Sequence, residues 1–389
     1  MGIEPQAYTP DLLVKSDLIV DAILGTGLDR VVTAEWADMI AAINASTKPV
    51  LAVDIPSGLN ADTGVCMGIA VQADVTISFI GRNQGLYTTD GPDCCGFVVF
   101  DSLGCTEDAY ASIADPCYLL DPHIPVFEPR KLNSHKGSYG HVLIIGGNTG
   151  MEGAARLAGE AALRCGAGLV SIACGSEKRE IISGGVAELM VLTQPVDIEA
   201  RINQASVLAV GPGLGVSHSS DDWIASVMQL AIESAKPLVF DADALNYLAQ
   251  HPVRLENCIL TPHPGEAGRL LGVSIDVIQQ DRFAAVQAIQ HKYGGVVILK
   301  GCGSLVFDGE HTCISPVGNP GMATAGMGDV LTGVIAALIG QYSNLSLMQI
   351  AQAAVLLHGQ AGDRAAVQGM NGMMASDLMP ILREFIDGQ

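Results

Sequence analysis

The residues best suited to chemistry lie at 319–333, in the run Asn319-Pro320-Gly321-Met322-Ala323-Thr324-Ala325-Gly326-Met327-Gly328-Asp329-Val330-Leu331-Thr332-Gly333. A Gly-x-Gly turn opens an apolar, helix-forming stretch, with an acid at its start. The first N–H groups of a helix lack an intrahelical acceptor and carry the positive end of its dipole, so they favour an anion. Glycine lets a phosphate come against the backbone. A carboxylate beside such an anion hole is placed to take a proton from an attacking hydroxyl, as phosphoryl transfer requires. The same residues would also make a plain turn and a helix capped by Asp329.

Five further segments carry chemistry-bearing types at strand ends. Leu299-Lys300-Gly301-Cys302-Gly303-Ser304 has the makings of a phosphate clasp, with Lys for charge, Gly for access and Ser for a hydrogen bond; a hairpin turn would read the same. Gly211-Pro212-Gly213-Leu214-Gly215 follows an apolar run, where open α/β sheets receive ligands, or else is an ordinary turn. In Thr261-Pro262-His263-Pro264-Gly265-Glu266, two prolines hold a histidine rigidly; it could touch substrate while Glu266 orients a metal or water, or it could be structural. Asp241 and Asp243 could face one pocket, although Asp243 equally suits a helix cap. Gly146-Gly147-Asn148-Thr149-Gly150, running into Ala154, lacks strict GxGxxG spacing and a following acid. It reads as a ligand-facing turn, not a dinucleotide fingerprint. Nearer the start, Asp21 precedes Gly25-Thr26-Gly27 and Asp54 precedes Pro56-Ser57-Gly58. These two acids could form an acid/base pair, a cation site, or simply turns.

The elements that must position these residues follow from apolar periodicity. Buried strands are expected at 17–24, 50–54, 75–80 and 97–100, with a helix at 33–45. A second block repeats the rhythm: strands at 142–145, 168–173, 207–210, 238–240, 258–260 and 296–299, helices at 153–165, 221–234, 330–339 and 348–367. Alternating strands and helices imply parallel, doubly wound sheets. The stretch 121–130 contains Pro122, Pro125 and Pro129 and reads as a boundary, giving domains 1–126 and 131–389. The first block is small for such a sheet and opens on Gly2-Ile3-Glu4-Pro5 with no preceding strand, so an N-terminal piece is expected to be missing.

Composition excludes whole classes of partner. A net charge of -21 would repel a phosphate backbone, and 2 Trp offer little for base stacking, so nucleic acid is not expected. No run approaches the ~18 apolar residues of a membrane span, and the opening residues do not resemble a signal peptide. The 10 Cys form no CxxC pair and read as reduced thiols of a cytoplasmic protein.

Taken together and in this order, GGNTGMEGA, GPGLG, TPHPGE, KGCGS and NPGMATAGMGD resemble the bifunctional NAD(P)H-hydrate repair enzymes over nearly the whole chain. The resemblance implies a C-terminal ribokinase-like α/β domain, an ADP-dependent (S)-NAD(P)H-hydrate dehydratase. It further implies an incomplete N-terminal Rossmann-like α/β domain, part of an NAD(P)H-hydrate epimerase. On the family's pattern, Lys300, Gly301, Cys302, Gly303, Ser304 and Gly328 hold the adenine nucleotide. Ala154, Gly213, His263 and Asp329 contact the hydrate, with Asp329 as the catalytic base. ADP is the implied phosphate donor, with Mg2+ on its phosphates. In the epimerase part, Asp21 and Ser57 match potassium ligands, while Gly25, Thr26, Gly27, Leu28, Asp29, Arg30, Val31 and Asp54 match substrate positions. The family's earlier GNNGGDG loop is absent from this sequence, so the resemblance implies an incomplete epimerase part and leaves its activity open. The family also implies a homo-oligomer, as a tetramer. The competing reading is another ribokinase-type small-molecule kinase with a non-catalytic N-terminal binding module.

Overall fold

Runs of Val, Ile, Leu and Ala ended by glycine or proline turns form short strands, and Ala-rich stretches between them form helices. The computed structural model describes residues 6–110, 113, 116–123, 127–175, 179–193, 195–215 and 221–387. The opening Gly2-Ile3-Glu4-Pro5 and the centre of the proline-rich segment, 124–126, lie outside the described residues. The chain divides into two compact units, Met1–Pro116 and Cys117–Gln389.

The first unit holds a parallel sheet of β1 (Ile19–Asp21), β2 (Val50–Val53), β3 (Val75–Phe79) and β4 (Phe97–Asp101), in that order. The helix Ala34–Ala45 buries Ile40 and Ile43 against Ile19, Val50 and Ala52. The apolar run at 17–24 pairs over only Ile19–Asp21, because beyond Asp21 the backbone turns and bonds to Ser57. Asp21 and Asp54 thus stand at the carboxyl ends of neighbouring strands.

The second unit is built on ten strands: β5 (Cys117–Leu119), β6 (His141–Ile145), β7 (Leu169–Ala173), β8 (Met190–Leu192), β9 (Val207–Val210), β10 (Leu238–Phe240), β11 (Cys258–Leu260), β12 (Val296–Leu299), β13 (Leu305–Phe307) and β14 (Thr312–Ile314). Their order is β5-β14-β13-β12-β11-β10-β9-β6-β7-β8. β6, β9, β10, β11 and β12 are buried along their whole length, which is why they read as unbroken apolar runs and not as alternations. The pairs β12–β13 and β13–β14 are antiparallel. β5 then adds in parallel to β14, Thr312 opposite Cys117. This pairing draws residues 117–119 into the second unit, although the sequence had grouped them with the first block. Three residues carry too little pattern to be assigned from sequence. Among the described residues, no helix is long and apolar enough to cross a membrane.

The helix Met327–Gln341 is buried on most of its circumference and runs against the helix Glu152–Arg164. Gly333 sets their closeness: a Cβ there would lie 2.1 Å from the Ala158 carbonyl oxygen and 2.8 Å from the Ala161 Cβ. Gly333→Val should therefore force the helices apart and lower unfolding free energy by about 1–3 kcal/mol, the usual penalty of overpacking. Denaturant titration measures this, and unchanged stability would contradict the close packing.

Candidate active site

Five turns meet at the carboxyl ends of adjacent parallel strands, where open α/β sheets receive ligands. Gly146 follows β6, Gly211 follows β9, Asp241 follows β10, Thr261 follows β11 and Lys300 follows β12. Onto these ends points the N-terminus of the helix Met327–Gln341.

At the centre is a buried ion pair. Asp241 is 2% exposed, and its Oδ1 accepts from Lys300 Nζ at 2.7 Å and from Thr261 Oγ1 at 2.9 Å. Its Oδ2 accepts from Thr332 Oγ1 at 2.9 Å. Burial opposes the charge of Asp241, yet the Lys300 ammonium and these hydrogen bonds hold the carboxyl below its ordinary range. Burial likewise opposes the Lys300 ammonium, but Asp241 and Glu266 more than compensate and raise its pKa. Glu266 Oε2 stands 3.8 Å from Lys300 Nζ. The Glu266 carboxyl is itself raised, by burial and by the charge of Asp241, against the opposing pull of Lys300.

Asp329 occupies the third position of its helix. The N-cap is Gly326 at φ +93°, so Asp329 is not the cap. The glycine before it allows close approach: a Cβ on Gly328 would lie 3.2 Å from Lys300 Nζ and 3.6 Å from Asp241 Oδ2. The helix mouth therefore rests on the ion pair. Burial pushes the Asp329 carboxyl up to about 7, the nearby Asp241 charge adds to this, and Lys300 offsets part of it. A carboxylate of that proton affinity is matched to general-base work at neutral pH.

The remaining expected residues surround this core. His263 caps the helix Pro264–Leu271: its Nδ1 accepts from Gly265 N at 3.0 Å, while its backbone N–H donates to Glu266 Oε2 at 2.7 Å. Burial and the Lys300 charge lower its pKa, favouring neutral imidazole. Lys300 through Ser304 form the turn between antiparallel β12 and β13, so the hairpin reading holds for the backbone, and Lys300 N donates to Pro262 O at 2.9 Å, tying it to the histidine loop. Ala154 and Gly213 come together, since a Cβ on Gly213 would lie 3.2 Å from the Ala154 Cβ and 2.5 Å from Met151 O. Asp241 and Asp243 do not face one pocket: Asp243 Oδ2 turns away to accept from Gly215 N at 2.7 Å. A separate cavity of about 940 Å3, lined by Phe127, Arg130, Arg164, Glu188 and Arg383, contains none of these residues.

In the first unit, Asp21 and Ser57 meet. Ser57 Oγ donates to Asp21 Oδ1 at 2.6 Å, Ser57 N donates to Asp21 Oδ2 at 2.7 Å, and both residues are buried. Asp54 is engaged elsewhere, accepting from Phe79 N at 3.1 Å, so Asp21 and Asp54 make no acid/base pair. Asp54 sits at φ +70°, strain of the kind that collects at ligand-binding turns. Gly25, Thr26, Gly27, Asp29, Arg30 and Val31 are exposed on the loop after β1, with Leu28 half-buried.

Sequence reasoning missed the Asp241–Lys300 pair and its two threonines. Thr332 lies three residues after Asp329 and so on nearly the same helix face, which was a usable signal. Nothing local tied Asp241 to a lysine 59 residues away. The raised Asp329 carboxyl also has a stability consequence. It ionises near 7 when folded against ~3.9 when unfolded, so its ionisation costs stability as pH rises through that window. Asp329→Asn should melt higher than the unaltered chain above about pH 7, and the gain should vanish near about pH 4. Thermal unfolding across pH measures it; a difference independent of pH would contradict the raised carboxyl.

A family model described as NAD(P)H-hydrate dehydratase matches residues 142–384, and one described as YjeF-related protein N-terminus matches residues 1–85. The bifunctional NAD(P)H-hydrate repair enzyme of Coxiella burnetii is 46% identical over 386 residues, spanning 98% of this chain and 78% of that protein. That of Escherichia coli is 41% identical, spanning 95% and 72%. Among solved structures, the ADP/ATP-dependent NAD(P)H-hydrate dehydratase of Bacillus subtilis, co-crystallised with ATP and Mg2+, superposes with a TM-score of 0.58 at 25% identity, covering 67% of this chain and 95% of that one. A ribokinase-like superfamily protein of Enterococcus faecalis gives 0.62 at 26% identity, covering 69% and 95%. The ion-paired lysine, the carboxylate at the helix mouth and the ribokinase-like sheet beneath them thus belong to a member of the NAD(P)H-hydrate dehydratase family, one that carries a YjeF-related N-terminal unit in the same chain.

Proposed function

We propose that the second unit dehydrates (S)-NAD(P)H hydrate at the expense of ADP, with Asp329 as the base. The single observation that carries this reading is a carboxylate pushed up to about 7 at the mouth of a helix that rests on a buried Lys–Asp pair. The Lys300–Ser304 turn and Gly328 would cradle the nucleotide phosphates, and Ala154, Gly213 and His263 would hold the hydrate. Asp329 accepts the proton of the substrate hydroxyl as its oxygen attacks the terminal phosphorus of ADP; the bond to AMP breaks. The phosphorylated carbon then loses phosphate while the neighbouring ring carbon loses a proton, which restores the dihydropyridine and leaves AMP and phosphate. The helix N-terminus and Lys300 stabilise the charge that builds on the phosphoryl oxygens.

Among the described residues, no three His, Cys, Asp or Glu side chains gather to hold a metal by themselves. Three carboxylates nevertheless stand near one ammonium, and two of them, Glu266 and Asp329, are raised by burial and further by the charge of Asp241. Mg2+ on the nucleotide phosphates fits that excess of negative charge and would neutralise the transferring group. Glu266 would orient the ion indirectly. In the first unit, Asp21 Oδ, Ser57 Oγ and the Leu24 carbonyl, 3.2 Å from Ser57 Oγ, form an all-oxygen donor set that fits K+. The strand-end loop Gly25–Val31 and Asp54 would face the hydrate there.

Incubating the full chain with hydrated NADH and ADP, and following the near-ultraviolet absorbance of the dihydronicotinamide, tests the main reading. Absorbance should recover with the unaltered chain and fall at least about 100-fold in rate with Asp329→Asn. No recovery with either ADP or ATP would overturn it. Lys300→Met should lower kcat and raise the KM for nucleotide together, because it removes both phosphate charge and the partner of Asp241; an unchanged nucleotide KM would contradict its place in the clasp.

A further inference from the structure

Beneath the Lys300–Ser304 turn lies a buried cation that the proposed reaction has not used. Arg282 is 1% exposed. Its Nη1 donates to the Cys302 carbonyl at 2.6 Å and its Nη2 to the Leu299 carbonyl at 3.0 Å, while Nε has no partner. Among the described residues, no carboxylate forms an ion pair with it. The adjacent Asp281 is spent on the backbone, accepting from Ala284 N at 2.9 Å as cap of the helix Arg282–Tyr293. Arg282 is the first residue of that helix, where the dipole repels a cation. The guanidinium is thus buried, without a counter-ion and at the wrong helix end, three conditions that each disfavour a charge. Burial moves its pKa down to about 10, which leaves it charged at neutral pH.

Packing alone does not require a charge here, since an apolar chain of similar volume would fill the space, and two carbonyls could be met by a neutral amide. What only a cation supplies is attraction for an anion across a low-dielectric layer. The turn is thin at this point: a Cβ on Gly301, at φ +149°, would lie 2.9 Å from both Nη atoms. No side chain separates the guanidinium from the backbone of the clasp.

We propose that Arg282 is a positioning residue for the nucleotide: it fixes the Leu299–Cys302 backbone through two carbonyls and provides the buried positive charge that the phosphates of a nucleoside diphosphate complete from the other side. The inference rests on the nucleotide reading of the Lys300–Ser304 turn. It accounts for the missing counter-ion, because that counter-ion arrives with the ligand.

Equilibrium binding of ADP and steady-state kinetics of the full chain test it, using Arg282→Gln, which keeps hydrogen-bonding capacity without charge, and Arg282→Lys, which keeps charge. Arg282→Gln should weaken ADP binding and raise the nucleotide KM by roughly tenfold or more, with kcat at saturating nucleotide and the KM for the hydrate changed far less. Arg282→Lys should recover a large part of the nucleotide affinity. A merely structural arginine would lower melting temperature and kcat without a selective effect on nucleotide. Unaltered ADP affinity in a folded Arg282→Gln variant overturns the proposal while leaving the nucleotide reading intact. Should that variant not fold, Arg282→Lys decides: affinity near that of the unaltered chain supports a role for the charge, and loss of ADP binding in a folded Arg282→Lys variant overturns it. Failure of the unaltered chain itself to bind ADP overturns the nucleotide reading and this inference with it.

Discussion

The second unit depends on one contact, the 2.7 Å bond between Lys300 and Asp241 at the carboxyl ends of β12 and β10. A buried charge is costly unless it is paired and hydrogen-bonded, and Asp241 meets that condition with one ammonium and two hydroxyls. Everything chemical is arranged on this pair. Gly328 has no side chain, so the helix mouth can lie on it. Asp329, one residue later, is raised first by its own burial and then by the Asp241 charge, whose hydrogen bonds it does not share. Two carboxylates in one pocket are thereby separated into a permanent anion and a titratable base, the arrangement by which environment assigns acid and base roles.

The fold serves to bring distant segments to that contact. Parallel strands place every following turn on one edge of the sheet, so residues at 146, 211, 241, 261 and 300 converge though scattered along the chain. The buried helix Met327–Gln341 is aimed at the same edge and is held close to the helix Glu152–Arg164 at Gly333. The NPG loop ahead of it is pinned from the helix Leu347–Ala366, where Asp363 accepts from Gly318 N at 3.0 Å and Asn319 Nδ2 at 2.9 Å.

Much of this was legible in the sequence because the physics is local. Fully buried strands read as unbroken apolar runs, and β10, β11 and β12 have the bounds that their runs suggested. The glycine-rich turns and the helix-opening Asp329 likewise announce themselves by spacing. What stayed hidden is non-local. The pairing of Asp241 with Lys300, and of Arg282 with the carbonyls beyond β12, joins residues that share no pattern along the chain. β5, β13 and β14 are three residues each, too short to show a period, and it is their pairing that moves residues 117–119 into the second unit. The expectation that Asp241 and Asp243 act together failed for a related reason: two residues apart at a helix start, their side chains diverge.

If the Asp241 charge adds to the proton affinity that burial gives Asp329, the pH dependence of kcat/KM for the hydrate must report it. The unaltered chain should show a rising limb centred at about 7. Asp241→Asn should move that limb to lower pH, because it removes a negative charge that resists ionisation of Asp329 while Lys300 still favours it. A limb in the ordinary carboxylate range, or one that Asp241→Asn leaves in place, would contradict the account.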